Sequence, residues 1–375
     1  MSWVASCNRA ERSALATLDD GGSALAQPAG ERPALEIGQT WSPGTGGRRT
    51  GSIADRPTGS RTRQPLLEAI VGGMLSRRSL LLTPVTATLA RAVNAQSAAS
   101  GKMLLAMHQN TTRAAGFRAS MEGWARAGIQ YVELGAPQLS AFLETETVPT
   151  ARRLLGDLGL TPVSAAVVLP DIWLPGPARA DSLEAWRRGC EQMAEMGLQK
   201  VYSPSITNRP LTADDFAATP DAIFEAGEIA KDSDLTAMIE FIRTSTHLAT
   251  LTSALQMIRA AGHPNVRPML DFFHFWSGLS KFEDLDLLDR GELAHAHFQD
   301  LLDTPRELIN NDSRLIPGDG IAPVVRILQK LAEKEYDGAL SVELFRSEWV
   351  RGDPFAVASE IRPKCEAVMR QAQVL

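Results

Sequence analysis

The sequence predicts a (β/α)8 barrel behind an N-terminal extension of different character, and three observations carry that expectation. From Lys102 onward, eight short apolar runs alternate with longer stretches whose apolar residues recur every three or four positions. The runs begin 26 to 44 residues apart, and eight such units in about 270 residues match the size of such a barrel. Gly128, Gly159, Gly197 and Gly262 each stand between a helical stretch and the next run, where a left-handed glycine most readily stops a helix.

Taken in order, residues 1–73 are rich in Gly, Ser, Thr, Arg and Pro, with no sustained period, and disorder is expected there. In Met74–Ala95, Arg77 and Arg78 precede a moderately apolar run from Leu80 that ends in Val93-Asn94-Ala95. This segment, 74–95, resembles a twin-arginine export signal with a small-residue cleavage site. The run is broken by Pro84 and Arg91 and is too short to span a bilayer, so no stable membrane anchor is expected. Translation is then expected to start at Met74, with 1–73 a start-site artefact or dispensable extension. The mature chain is then expected to begin at Gln96 and to be periplasmic or secreted, with the twin-arginine machinery as its partner; without a working signal it is expected in the cytoplasm.

The barrel is expected over 101–375. Its runs are Met103–His108, Gln130–Leu134, Pro162–Val168, Lys200–Pro204, Thr236–Phe241, Pro268–Phe273, Ala294–Gln299 and Gly338–Leu344. Ser182–Met196, Pro220–Lys231, Leu248–Ala261 and Val324–Lys334 read as helices between them. A doubly wound open sheet is the alternative. It would normally carry a glycine-rich phosphate loop after the first strand, and the residues after His108 offer none.

The formal net charge of −6 is unevenly spread. Residues 1–95 hold 11 Arg, no Lys and 7 acids, a balance of +4, and the remainder holds 27 basic and 37 acidic residues, a balance of −10. An acidic body argues against a nucleic-acid partner, which needs a positive field. Cys7, Cys190 and Cys365 are too scattered for a metal-ligand spacing or a disulfide framework.

A barrel carries its chemistry at the C-terminal ends of its strands. There the fifth run brings Glu240, the sixth Asp271 with His274 just beyond, the seventh His295, His297 and Asp300, and the eighth Glu343. Acids inside apolar runs are costly unless paired, and several converging on one mouth would repel one another without a cation. Glu240, Asp271, a histidine of the seventh run and Glu343 form a mostly hard-oxygen ligand set, suited to Mn²⁺, Mg²⁺ or Co²⁺ and less distinctively to Zn²⁺.

These pieces resemble the xylose isomerase-like barrel superfamily, also called sugar phosphate isomerase/epimerase. The resemblance rests on Ile239-Glu240-Phe241, Asp271 with His274, His295 with His297, Pro317–Gly320, and Tyr336-Asp337-Gly338 leading to Glu343. It runs more weakly back through Gly128–Leu134 to Lys102. It implies metal ligation by Glu240, Asp271, His297 and Glu343, with Mn²⁺ the first expectation. Glu240 and Glu343 double as proton carriers, and His274 and Arg314 contact a carbohydrate substrate. The implied activity is isomerisation or epimerisation of a sugar, keto-sugar or polyol through a metal-stabilised enediolate.

From their positions, His108 and Glu133 are expected to face the pocket, His108 as a substrate contact. His295 should be a packed residue one pleat deeper, Asp300 should cap the following loop, and Trp276 is either a sugar-stacking or a lid residue. His247 and His263 are expected at the surface. An inosose-dehydratase-like lyase would use the same site, and a non-catalytic exported sugar-binding barrel is a further alternative. An abasic-DNA endonuclease would need His at the second and third strand ends, where Val132–Ala136 and Ala165–Val168 have none. Whether the chain forms a homo-oligomer stays open.

Overall fold

The computed structural model describes residues 102–375. The expectations for 1–73 and 74–95 lie outside the described residues. Eight parallel strands close into a barrel: β1 (Leu104–His108), β2 (Tyr131–Gly135), β3 (Thr161–Ala166), β4 (Lys200–Pro204), β5 (Thr236–Glu240), β6 (Val266–Asp271), β7 (His295–His297) and β10 (Ala339–Val342). Between β7 and β10, two-residue strands β8 (Asp300–Leu301) and β9 (Arg314–Leu315) pair antiparallel beside the mouth.

The helices that alternate with these strands are α1 (Gly116–Arg126), α2 (Ala136–Leu143), α3 (Val148–Asp157), α4 (Arg179–Glu195), α5 (Ala213–Asp232), α6 (Leu251–Ala261), α7 (Phe272–Ser277), α8 (Val324–Glu333), α9 (Ser347–Val350) and α10 (Pro354–Gln371). The four punctuating glycines take φ between 63° and 85°, a backbone open to glycine without steric penalty. Thr212 caps α5 in a reciprocal box with Asp215, and Thr250 caps α6 with Ser253. α5 starts seven residues before the expected Pro220, at the turn that the Thr212 cap begins, and carries that proline in its interior.

The sixth unit departs from the expected pattern. Its 23-residue connection holds only the six-residue α7 and a 3-10 turn at Phe282–Leu287. Phe272 and Phe273 extend the apolar run in the sequence, yet they are helical. The Asp271 side chain accepts from the His274 backbone N–H at 2.7 Å and starts a turn there.

Two apolar layers hold the barrel. The larger one packs strand exteriors against helices, with Trp124, Trp186, Phe272, Phe275 and Phe298 fully buried. A small separate cluster of Ala166, Tyr202, Met238, Met269 and Ala294 fills the interior. Alternation along each strand then sets Glu240 above Met238, Asp271 above Met269 and His297 above His295. His247 and His263, expected at the surface, are buried. His247 sits against α5 with Nε2 3.0 Å from Thr219 Oγ1. His263 packs on Phe224, and its Nε2 lies 2.7 Å from Glu228. Among the described residues no helix is long and apolar enough to cross a membrane.

Candidate metal centre

The last inward-facing positions of β5, β6 and β7, and the residue just after β10, bring Glu240, Asp271, His297 and Glu343 together. One ligand atom from each lies within 4.8 Å of the others, and none of the four is more than 4% exposed. His297 Nδ1 is the hub, 3.1 Å from Glu240, 3.3 Å from Asp271 and 3.4 Å from Glu343. Three carboxylates and an imidazole nitrogen converging in a buried space are the donor set that a hard or borderline divalent cation takes. Asp271 serves twice: Oδ1 caps α7, while Oδ2 faces His297 and Arg314.

Arg314, on β9, closes the ring of charge. Its guanidinium donates to Asp271 at 2.7 Å and to Glu343 at 2.9 Å through one nitrogen, and to His274 Nε2 at 3.2 Å through another. Its carbon lies 4.5 Å from the Phe273 ring centre and 4.9 Å from that of Phe345, so the planar head is held between two aromatic faces. Its Nε and the Nδ1 of His274 are buried without a hydrogen-bond partner among the described residues. Because His274 Nε2 accepts from Arg314, its proton sits on Nδ1, a buried donor without a partner among the described residues.

The two glutamates are driven in opposite directions. Burial, with Asp271 and Glu343 adding to it against the pull of His297, pushes Glu240 up to about 7. Burial also acts on Glu343, but His297, Arg314 and His108 outweigh it and hold that carboxyl below the usual range. Burial lowers His274 to about 3, keeping it neutral. His297 moves the other way: burial opposes its charge, yet Glu133, Glu343 and Glu240 hold it well above the ordinary histidine value.

A cavity with about 660 Å³ of empty space, partly open to solvent, lies over this floor. Glu240, His274, Arg314, Glu343, Tyr202, Asn110 and Asn311 supply its polar atoms, and Pro137, Ala166, Val168, Ile206, Ile242 and Phe345 its apolar wall. Asn110 donates to Glu343 at 3.0 Å.

His108 is not brought to the cavity. It is fully buried, its Nδ1 accepts from the Asn110 backbone and its Nε2 lies 3.1 Å from the Tyr202 hydroxyl, which leaves neither ring nitrogen for a substrate. Trp276 lines a different hollow, with Lys281, Phe282 and Arg326. Asp300 accepts backbone N–H groups of Leu301, Gly318, Gly320 and Ala322 at 2.8–3.1 Å and so pins the Pro317–Gly320 loop. His295 lies one layer below His297, ring centres 5.7 Å apart. Glu133, expected with His108 to face the pocket, instead lies under His297, between the two histidines, because His295 and His297 draw its carboxylate beneath the floor.

The profile of the family described as xylose isomerase-like TIM barrel matches residues 123–365. The chain belongs to that family. Its relatives include an inosose isomerase of Halalkalibacterium halodurans, 34% identical over 130 residues, which is 34% of this chain and 46% of that protein. An inosose isomerase of Bacillus licheniformis is 25% identical over 172 residues, 45% of this chain and 62% of that protein. The chain thus spans about half the length of the curated relatives it matches. Among solved structures, the IOLI protein with a bound zinc atom superimposes with a TM-score of 0.64 at 20% identity, covering 72% of this chain and 98% of that one. D-psicose 3-epimerase in the presence of D-fructose gives 0.60 at 21% identity, covering 73% and 100%. At these identities the superpositions establish the shared barrel.

Proposed function

We propose that this barrel is a metal-dependent isomerase or epimerase of an inosose or a related keto-sugar, working by transfer of a carbon-bound proton. The observation that carries the proposal is the convergence of Glu240, Asp271, His297 and Glu343, one ligand atom from each within 4.8 Å of the others, beneath one cavity that Glu240 and Glu343 both line. Support also comes from relatives named inosose isomerases and from a fold shared with a D-psicose 3-epimerase.

Glu240, Asp271, His297 and Glu343 would hold the cation, Mn²⁺ being the best match to three carboxylates and one imidazole, with Mg²⁺, Co²⁺ or Zn²⁺ as alternatives. Such an ion supplies positive charge to a carbonyl oxygen whose neighbouring C–H bond is breaking. Glu343, kept ionised by His297 and Arg314 and oriented by Asn110, takes the proton from carbon. Glu240, lining the same cavity, delivers one from its own position, and the roles reverse in the other direction. His274, which lines the cavity, contacts the substrate. The apolar wall of Ile206, Ile242 and Phe345 takes the C–H face of the ring and limits water at the reacting carbon.

The test is to incubate the Mn²⁺-loaded protein with inosose, and separately with D-fructose, and to follow the products by NMR. Isomerised product that disappears on chelation and returns with Mn²⁺ is expected. Product formation indifferent to chelation would refute the metal role, and binding without conversion would mark a sugar-binding barrel. Export remains a companion proposal. N-terminal sequencing of secreted protein should then begin at Gln96, and an intact Met1 would contradict it.

A further inference from the structure

Beneath the ligand set lies a second polar layer that the proposed reaction does not use. Glu133, from the β2 strand, is fully buried. Its Oε2 lies 2.8 Å from His295 Nε2 and its Oε1 3.4 Å from His297 Nε2. His295 Nε2 also lies 3.1 Å from Ser341 Oγ. The His297 ring therefore spans two environments: Nδ1 faces the three carboxylates above, and Nε2 faces one carboxylate below.

From this arrangement we propose that Glu133 is a positioning residue that fixes how His297 binds the cation. An ionised carboxylate can only accept, so Glu133 keeps a proton on Nε2 and reserves the Nδ1 lone pair for the metal. A ligating histidine whose far N–H rests on a carboxylate is both oriented and made a better donor. His295 holds Glu133 from the other side by the closer contact, which stops the carboxylate from swinging away. At 3.4 Å the Glu133–His297 contact is loose.

This inference rests on the metal-centre reading, and the test separates the two. Zn²⁺ serves as the diamagnetic probe. Its affinity is measured by chelator competition in the full chain and in Glu133→Gln, and the ring nitrogens of His297 are assigned by ¹⁵N NMR in the Zn²⁺ form. The wild type should show a metal-bound Nδ1 and a hydrogen-bonded, exchange-protected Nε2–H. Glu133→Gln should bind Zn²⁺ about 10- to 100-fold more weakly and shift that Nε2–H upfield. Glu133→Asp, which shortens the reach but keeps the charge, should lie between the two, and serves alone if the Gln variant does not fold. Equal affinity and an unmoved Nε2–H in every folded variant would overturn the positioning role. Metal bound through Nε2 would overturn it as well. A wild type that binds no Zn²⁺ would instead overturn the metal centre itself. A merely structural role for Glu133 would lower the melting temperature without moving the Nε2–H resonance.

Discussion

Replacing Arg314 by Met should separate what the guanidinium does for the fold from what a cation does for the same acids. Arg314 is 2% exposed and makes two charge-assisted hydrogen bonds, to Asp271 at 2.7 Å and to Glu343 at 2.9 Å. Bonds of that kind contribute about 1.5–3 kcal/mol each, and removing one partner of a buried ion pair costs about 3–5 kcal/mol. Met fills most of the space between Phe273 and Phe345, so the packing loss is small. The expected destabilisation in EDTA is therefore about 3–5 kcal/mol, read by urea unfolding as a lower midpoint at unchanged slope. With the guanidinium gone, the three carboxylates hold their negative charge less compensated. Mn²⁺ affinity should then rise about tenfold, roughly 1.4 kcal/mol, and part of the stability loss should return on adding Mn²⁺. A loss below about 1 kcal/mol in EDTA, or a weaker affinity for Mn²⁺, would refute the view that Arg314 and a cation neutralise the same acids.

Other consequences concern the rest of the barrel. Burial holds His247 down to about 4, Arg209 adding to the effect and Asp215 opposing it. The unfolded chain therefore takes up this proton first, and stability should fall as pH drops from about 6.5 to about 4, by up to about 3 kcal/mol from this residue. His247→Asn should flatten that slope in unfolding measured across the window, and an unchanged slope would contradict the buried neutral imidazole. Gly123 and Gly156 both lie in helices, but a Cβ at Gly123 would meet Pro354 Cβ at 2.6 Å, whereas nothing lies within 4 Å at Gly156. Gly123→Ala should destabilise by about 1–3 kcal/mol and Gly156→Ala should stabilise by about 0.5–1 kcal/mol. Thermal unfolding that gives both the same sign would contradict the α1–α10 contact.

The fold was legible because a barrel repeats one local pattern eight times, so single ambiguous runs were corrected by their neighbours. What escaped was decided by contacts across the chain. Glu133 carried the same signal as Glu240, an acid in an apolar run, but its partner His295 lies 162 residues away on the far wall. Nothing local tells an acid above the floor from one beneath it. His108 ends its strand as a ligand would, yet the turn at Asn110 folds back onto its Nδ1. His247 precedes α6 in a polar stretch, and contacts distant in the chain, with Ser205 after β4 and with Phe216 and Thr219 of α5, accompany its burial. The strands β8 and β9 are two residues long, below any readable period, although they carry Arg314 to the site. Asp271 illustrates a limit of either-or reading: helix cap and candidate ligand are both right, one carboxylate oxygen each.

The most direct measurement is deuterium uptake. Mn²⁺-loaded protein is mixed with inosose in D₂O, and loss of the carbon-bound proton next to the carbonyl is followed by NMR, for the wild type and for Glu240→Gln and Glu343→Gln. Exchange in the wild type, dependent on Mn²⁺ and reduced by about 10²–10⁴-fold in each variant, is predicted. Full exchange in both variants, with Mn²⁺ bound, would contradict proton transfer by this pair of glutamates.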